Sequence, residues 1–119
     1  MPINLFYAEG NNVTITSTET SIAVNGGSTS PQSITDSGVY KIVVNGVTNM
    51  TKGDEYKIRI YEKASSTDGQ LIAFQCSLLG RQSELWIMPS IELGIGWNAT
   101  MQLISANPRG ISWSIRRVS

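Results

Sequence analysis

The chain has 119 residues, with nine Lys plus Arg against nine Asp plus Glu, no His and a single Cys. That length suits one domain spanning residues 1–119 and excludes two ordinary ones. Zero net charge lacks the long-range field of a nucleic-acid binder, and no apolar run reaches the roughly 18 residues of a membrane-spanning helix. Neither nucleic acid nor membrane is therefore expected as a partner.

Fourteen Ile, seven Val and ten Thr outnumber seven Leu and six Ala. β-branched side chains are stiff at χ1 and suit a pleated surface better than a helix, so the composition points to an all-β protein. Met1-Pro2-Ile3-Asn4 has neither a basic n-region nor a hydrophobic core, so no secretory signal is expected. A lone Cys76 forms no internal disulfide, which fits folding in a reducing cytosol.

The first apolar segment contains Ile3, Leu5, Phe6 and Tyr7 and precedes the Asn11-Asn12 turn signal. It reads either as an edge strand of the chain's own sheet or as an arm, within residues 1–12, that pairs with a neighbour. Residues 13–16 and 21–24 read as strands. Residues 25–37 are rich in Gly, Ser, Thr and Pro and read as a long loop with a short strand at Ile34. Residues 38–44 form a strand with Tyr40, Ile42 and Val44 on one face. Asn45-Gly46 and Lys52-Gly53-Asp54 mark turns.

Residues 56–63 alternate most clearly, with Tyr56, Ile58 and Ile60 facing one way and Lys57, Arg59 and Tyr61 the other. After a loop at 64–70, the run 71–79 places Ile72, Phe74, Cys76 and Leu78 on one face and predicts a hairpin with the preceding strand. Residues 84–88 form a short strand edged by Pro89, which 90–93 extend. Trp97, Ala99, Met101 and Leu103 alternate with polar neighbours. Asn107-Pro108-Arg109-Gly110 then turns the chain into the alternating Ile111, Trp113 and Ile115, predicting a C-terminal hairpin. About eight short strands at this spacing predict a two-sheet antiparallel β-sandwich, jelly-roll-like, with a small closed β-barrel as the alternative. Tyr56, Ile58, Ile60, Phe74, Trp97 and Trp113 are its predicted core.

Lacking His, the chain has no Ser-His-Asp triad, no Cys-His pair and no imidazole metal ligand, and one Cys builds no zinc site. Asp36, Asp54, Glu55, Asp68, Glu84 and Glu92 mostly sit beside turn signals and read as solvated carboxylates rather than a glycosidase pair. No calcium loop is present, and neither Gly26-Gly27 nor Gly94-Ile95-Gly96 opens a helix to cradle phosphate. No catalytic residue, metal or cofactor is expected. Trp86, Trp97 and Trp113 raise a sugar-stacking platform, against which Trp97 and Trp113 fall in register with aliphatic residues and read as core. An exposed Trp86 would mark a protein contact. Arg116-Arg117 reads as a solvated strand end or as the complement of an acidic patch on a partner. Cys76 reads as a buried, inert thiol.

Two stretches carry a resemblance. They are Gly53-Asp54-Glu55-Tyr56-Lys57-Ile58-Arg59-Ile60-Tyr61-Glu62-Lys63, and Gly96-Trp97-Asn98-Ala99-Thr100 with Arg109-Gly110-Ile111-Ser112-Trp113-Ser114-Ile115-Arg116. Over residues 38–119 the chain resembles small proteins encoded among the structural genes of tailed bacteriophages, including head decoration or cement proteins. The resemblance implies a non-enzymatic virion protein, made in the host cytoplasm. Its partner would be the major capsid protein, and it would act as a homo-oligomer, a trimer first. A tail or fibre-associated module, with carbohydrate as a possible ligand, is the alternative, and a small cytosolic binding domain is a third. Ile3, Leu5, Phe6, Tyr7, Trp86, Arg116 and Arg117 are the expected protein-interface residues.

Overall fold

The computed structural model describes residues 5–118, with the side chain of Leu5 left aside. Eight strands follow in order: β1 (Leu5–Ile15), β2 (Thr20–Ser21), β3 (Gly38–Asn45), β4 (Glu55–Glu62), β5 (Leu71–Leu79), β6 (Trp86–Leu93), β7 (Asn98–Ser105) and β8 (Arg109–Arg117). The antiparallel pairs β1·β8, β2·β7, β3·β6 and β4·β5 are nested, so the chain is one long hairpin whose tip joins β4 to β5. That hairpin is rolled up: β3 also pairs with β8, and β4 with β7. The result is two four-stranded sheets, ordered β1-β8-β3-β6 and β2-β7-β4-β5. This is the jelly roll, a sandwich whose sheets keep their edges, rather than a closed barrel.

The alternation sets which face of each strand is buried. Tyr40, Ile42 and Val44 of β3, Tyr56, Ile58 and Ile60 of β4, and Ile111, Trp113 and Ile115 of β8 all point into the core. Trp97 enters with no exposure; its ring lies 4.8 Å from Tyr40, and Tyr7 completes the cluster at 5.4 Å from Tyr40. Buried aromatic rings with polar tips need partners. The Asp36 carbonyl accepts both Tyr40 Oη–H (2.6 Å) and Trp97 Nε1–H (3.0 Å), and the Ile22 carbonyl accepts Trp113 Nε1–H (2.9 Å).

Four expectations need correction. The C-terminal hairpin does not form, because β7 and β8 lie in opposite sheets. Alternation fixes a strand's buried face but not its neighbour, and the turn after Ser105 carries the chain between layers, with Ala106 at φ 73°. The expected strand at 21–24 reduces to Thr20–Ser21; Ile22 and Ala23 leave the ladder yet stay buried. Asp54 is not a solvated turn carboxylate. Its side chain is fully buried, with Oδ2 accepting from Thr51 N (2.9 Å) and Arg109 Nε (3.0 Å). Phe74, expected in the core, is 38% exposed.

Candidate functional site

A sandwich that keeps its edges must guard them, because an unpaired strand edge recruits other chains. The edges here are β1 and β6 of one sheet and β2 and β5 of the other. β1 carries Glu9 and two register shifts that break its line. β6 contains Pro89 and Glu92, and β2 is two residues long. β5 is nine residues, Leu-Ile-Ala-Phe-Gln-Cys-Ser-Leu-Leu, without a charge, a Pro or a Gly, and its one irregularity lies between Ile72 and Phe74.

The register explains how β5 comes to be uncovered. Leu78, Cys76 and Phe74 pair with Tyr56, Ile58 and Ile60 and so share their core-facing side. The β4 residues are fully buried, but burial fades along β5, from Leu78 at 3% exposure through half-buried Cys76 to Phe74. The irregularity then sets Ile72 opposite Tyr61 and takes it off that face. Phe74 meets Trp86, Ile87, Met88, Pro89 and Ile91 of β6 around an open cleft of about 400 Å³. Leu71 (71%), Leu79 (67%) and Ile72 (49%) are exposed on the same strand, and Ile87 is exposed on β6. This flank between β5 and β6 is an apolar surface along an unguarded edge. Burial pushes the Cys76 thiol pKa up, which keeps it protonated and a poor nucleophile.

The expected interface residues separate into two groups. Trp86 is half-buried and lines the flank. Leu5 and Phe6 pair with Arg117 and Arg116 at the far edge of the same sheet, three strands from β6. There Phe6 lies under the Arg116 guanidinium, 4.8 Å from ring centre to carbon, and Arg117 donates to the Ser37 carbonyl at 3.0 Å. Tyr7 is spent on the aromatic core, and Ile3 lies outside the described residues. The segment 5–12, read as strand or arm, runs within β1. Leu71, Phe74 and Leu79 went unrecognised as surface. The signal available was a nine-residue run with only Gln75 and Ser77 as polar members, apolar on both of its faces.

A second cleft, also about 400 Å³, is lined mostly by residues with polar side chains, several of them from the loops flanking β2. Glu19 Oε2 accepts from Tyr61 Oη (2.5 Å) and from the Thr100 hydroxyl, with Arg59 Nη1 at 3.6 Å. Burial, then the hydrogen bond to Glu19, raises the Tyr61 pKa. Asn98 is 4% exposed, and its Oδ1 accepts from Ser21 Oγ (2.7 Å) and the Ala99 N–H (2.9 Å). The Ala99 amide can only donate, which fixes the orientation of the Asn98 side chain and leaves its NH₂ facing the cleft without a protein partner among the described residues. Glu19 is the one carboxylate lining this cleft. Comparison of the chain with protein-family models, curated proteins and solved structures gives no match.

Proposed function

We propose that this chain is a non-enzymatic structural protein of a tailed-phage virion, made in the host cytoplasm, that binds and stabilises the capsid lattice as a decoration protein. The observation that supports this reading most is the β5–β6 flank: a long, uncharged edge strand above an apolar cleft, on a chain whose other edges are guarded. Such a surface suits a protein completed by another protein. The jelly roll recurs in viral capsid domains, which adds support by analogy of fold alone. The mechanism is clamping. Strand addition and apolar burial join neighbouring subunits, and rupture of the shell must first break those contacts; repeated copies add avidity.

Co-sedimentation with capsids stripped of this protein tests the reading. Wild type is expected to pellet with the shell and raise its resistance to heat. Capsids that neither bind nor are stabilised by the protein would overturn it.

The second reading, a tail or fibre module that binds carbohydrate, rests on the free Asn98 amide beside Glu19 and Tyr61. Interleaved donors and acceptors in a small cleft suit sugar hydroxyls. Titration with glucose, galactose and N-acetylglucosamine, followed by amide NMR, is expected to shift the signals of Tyr61 and Asn98 if this reading holds. No shift with any of the three removes it.

A further inference from the structure

We propose that the cleft lined by Glu19, Tyr61 and Asn98 takes a sugar with a free amino group, a hexosamine whose ammonium is held by Glu19. The proposal rests on the carbohydrate reading of this cleft and names its substrate class.

Hydrogen bonds already made within the protein decide what the cleft can still offer. Tyr61 Oη and the Thr100 hydroxyl both donate to Glu19 Oε2, so each presents only lone pairs to a ligand. Ser21 Oγ likewise donates to Asn98 Oδ1. Gln70 gives its NH₂ to the carbonyls of Gln32 (2.8 Å) and Gly96 (2.6 Å), which leaves Oε1 as its free atom. With the Glu19 carboxylate, these lining groups are fixed as acceptors, and the Asn98 NH₂ is the fixed donor opposite them. The hydroxyls of Thr18, Thr29 and Ser30 can turn either way. A ligand for such a surface donates more than it accepts.

Charge narrows the choice. No Lys or Arg is among the residues lining the cleft. Glu19 Oε2 is taken up by the two hydroxyls and by Arg59 at 3.6 Å, whereas Oε1 has no partner among the described residues. An ammonium brings three donors and the opposite charge to that atom, in a charge-assisted bond roughly twice as strong as a neutral one.

The spread of the acceptors favours a sugar over a bare amine. Thr100 and Asn98 stand two residues apart on β7, about 7 Å, and Tyr61 of β4 pairs with Asn98. A pyranose ring across that span sets its ammonium on Glu19 and a ring hydroxyl oxygen against the Asn98 NH₂, while other hydroxyls donate to Tyr61 and Ser21. An aliphatic amine satisfies Glu19 alone. A volume of about 400 Å³ lies towards the lower end of small-ligand sites and admits one hexose. The walls are preorganised as well. Gln102 Nε2 holds the Ser17 carbonyl at 2.8 Å, the Leu103 N–H holds that of Thr16 at 2.9 Å, and Ser21 and Ser28 exchange backbone bonds.

Amide NMR titration of wild type with glucosamine, glucose, N-acetylglucosamine and methylammonium tests this, at about pH 6, where an amine is protonated and a carboxylate ionised. Glucosamine is expected to bind about tenfold tighter than each of the other three, shifting the signals of Tyr61, Asn98 and Thr100. Glu19→Gln keeps an oxygen for the Tyr61 and Thr100 hydroxyls but removes the charge, and is expected to bring glucosamine down to the affinity of glucose. The comparison of ligands on wild type stands whatever the stability of that variant.

Glucose or N-acetylglucosamine binding as tightly as glucosamine would overturn the ammonium contact and leave the carbohydrate reading standing. No shift with any sugar would overturn both. Methylammonium binding as tightly as glucosamine would reduce the cleft to a simple cation site, and a preference that persists in Glu19→Gln would place the ammonium elsewhere; either result overturns the proposal.

Discussion

Replacing Trp97 with Ala separates a core indole from a sugar platform. The side chain has no exposure, packs on Tyr40 and Tyr7, and gives its N–H to the Asp36 carbonyl. That carbonyl still accepts the Tyr40 hydroxyl in the variant, so no buried polar atom is orphaned. The loss is the transfer energy of the ring plus the cavity it leaves, about 4 kcal/mol, from a range of roughly 3–5 for large aromatic truncations. With an unfolding entropy of about 2.1 cal/mol/K per residue, a chain of 119 residues loses roughly 16 °C of Tm for that change. Thermal and urea unfolding followed by circular dichroism measure it. The Phe variant retains much of the ring volume and is expected to cost about half as much. An Ala variant that unfolds at the wild-type midpoint with an unchanged urea slope would refute the burial argument and return Trp97 to the surface.

Gly10 lies against the Trp113 ring, where a Cβ would sit 2.2 Å from Cη2; Gly10→Ala should therefore cost about 1–3 kcal/mol by urea unfolding, and an unaltered midpoint would show that the indole yields freely. Burial alone would raise the Asp54 pKa, but the Thr51 N–H and the Arg109 guanidinium outweigh it and hold the carboxyl below its ordinary value. The stability this site contributes is therefore complete above the unfolded pKa, about 3.9, and is lost as pH falls through the lower folded value. Arg109→Ala leaves a buried carboxylate without its cation and should cost about 3 kcal/mol at pH 7, a deficit that narrows towards pH 3 as Asp54 protonates; a deficit independent of pH would contradict the pairing. Deleting residues 2–8 removes Tyr7 from the aromatic cluster and the buried Ala8, so the truncation should lose stability as well as any attachment; a truncated protein as stable as wild type would show that β1 begins to matter only after Ala8.

The buried faces were legible because alternation is a local signal. Tyr56, Ile58 and Ile60, or Ile111, Trp113 and Ile115, announce their inward side within a few residues. Strand partners were not, because pairing in a jelly roll joins residues about a hundred apart, as Phe6 joins Arg116. The misplacement of Phe74 has the same origin. Its face was read correctly, but its cover depends on how far β5 and β6 close over one another, which is a property of the sheets rather than of the strand. Asp54 deceived for a different reason. The Gly53-Asp54 turn signal is real, with Gly53 at φ 94°, yet Arg109 arrives from the far end of the chain to bury the carboxylate. The polar cleft was invisible for the same reason, since Glu19, Tyr61 and Asn98 meet only after the hairpin rolls up.

Amide hydrogen exchange along β5 tests the central claim, that another protein surface completes this edge. The N–H groups of Leu71–Leu79 that point away from β4 have no partner within the chain's own sheet, whereas those of β8 lie between two strands. With stripped capsids present, the outward amides of β5 are expected to exchange slowly. Removing the capsids should bring them to the rates of an open edge while β8 keeps its protection. Outward β5 amides that exchange at open-edge rates with capsids present, as they do without them, would contradict the account.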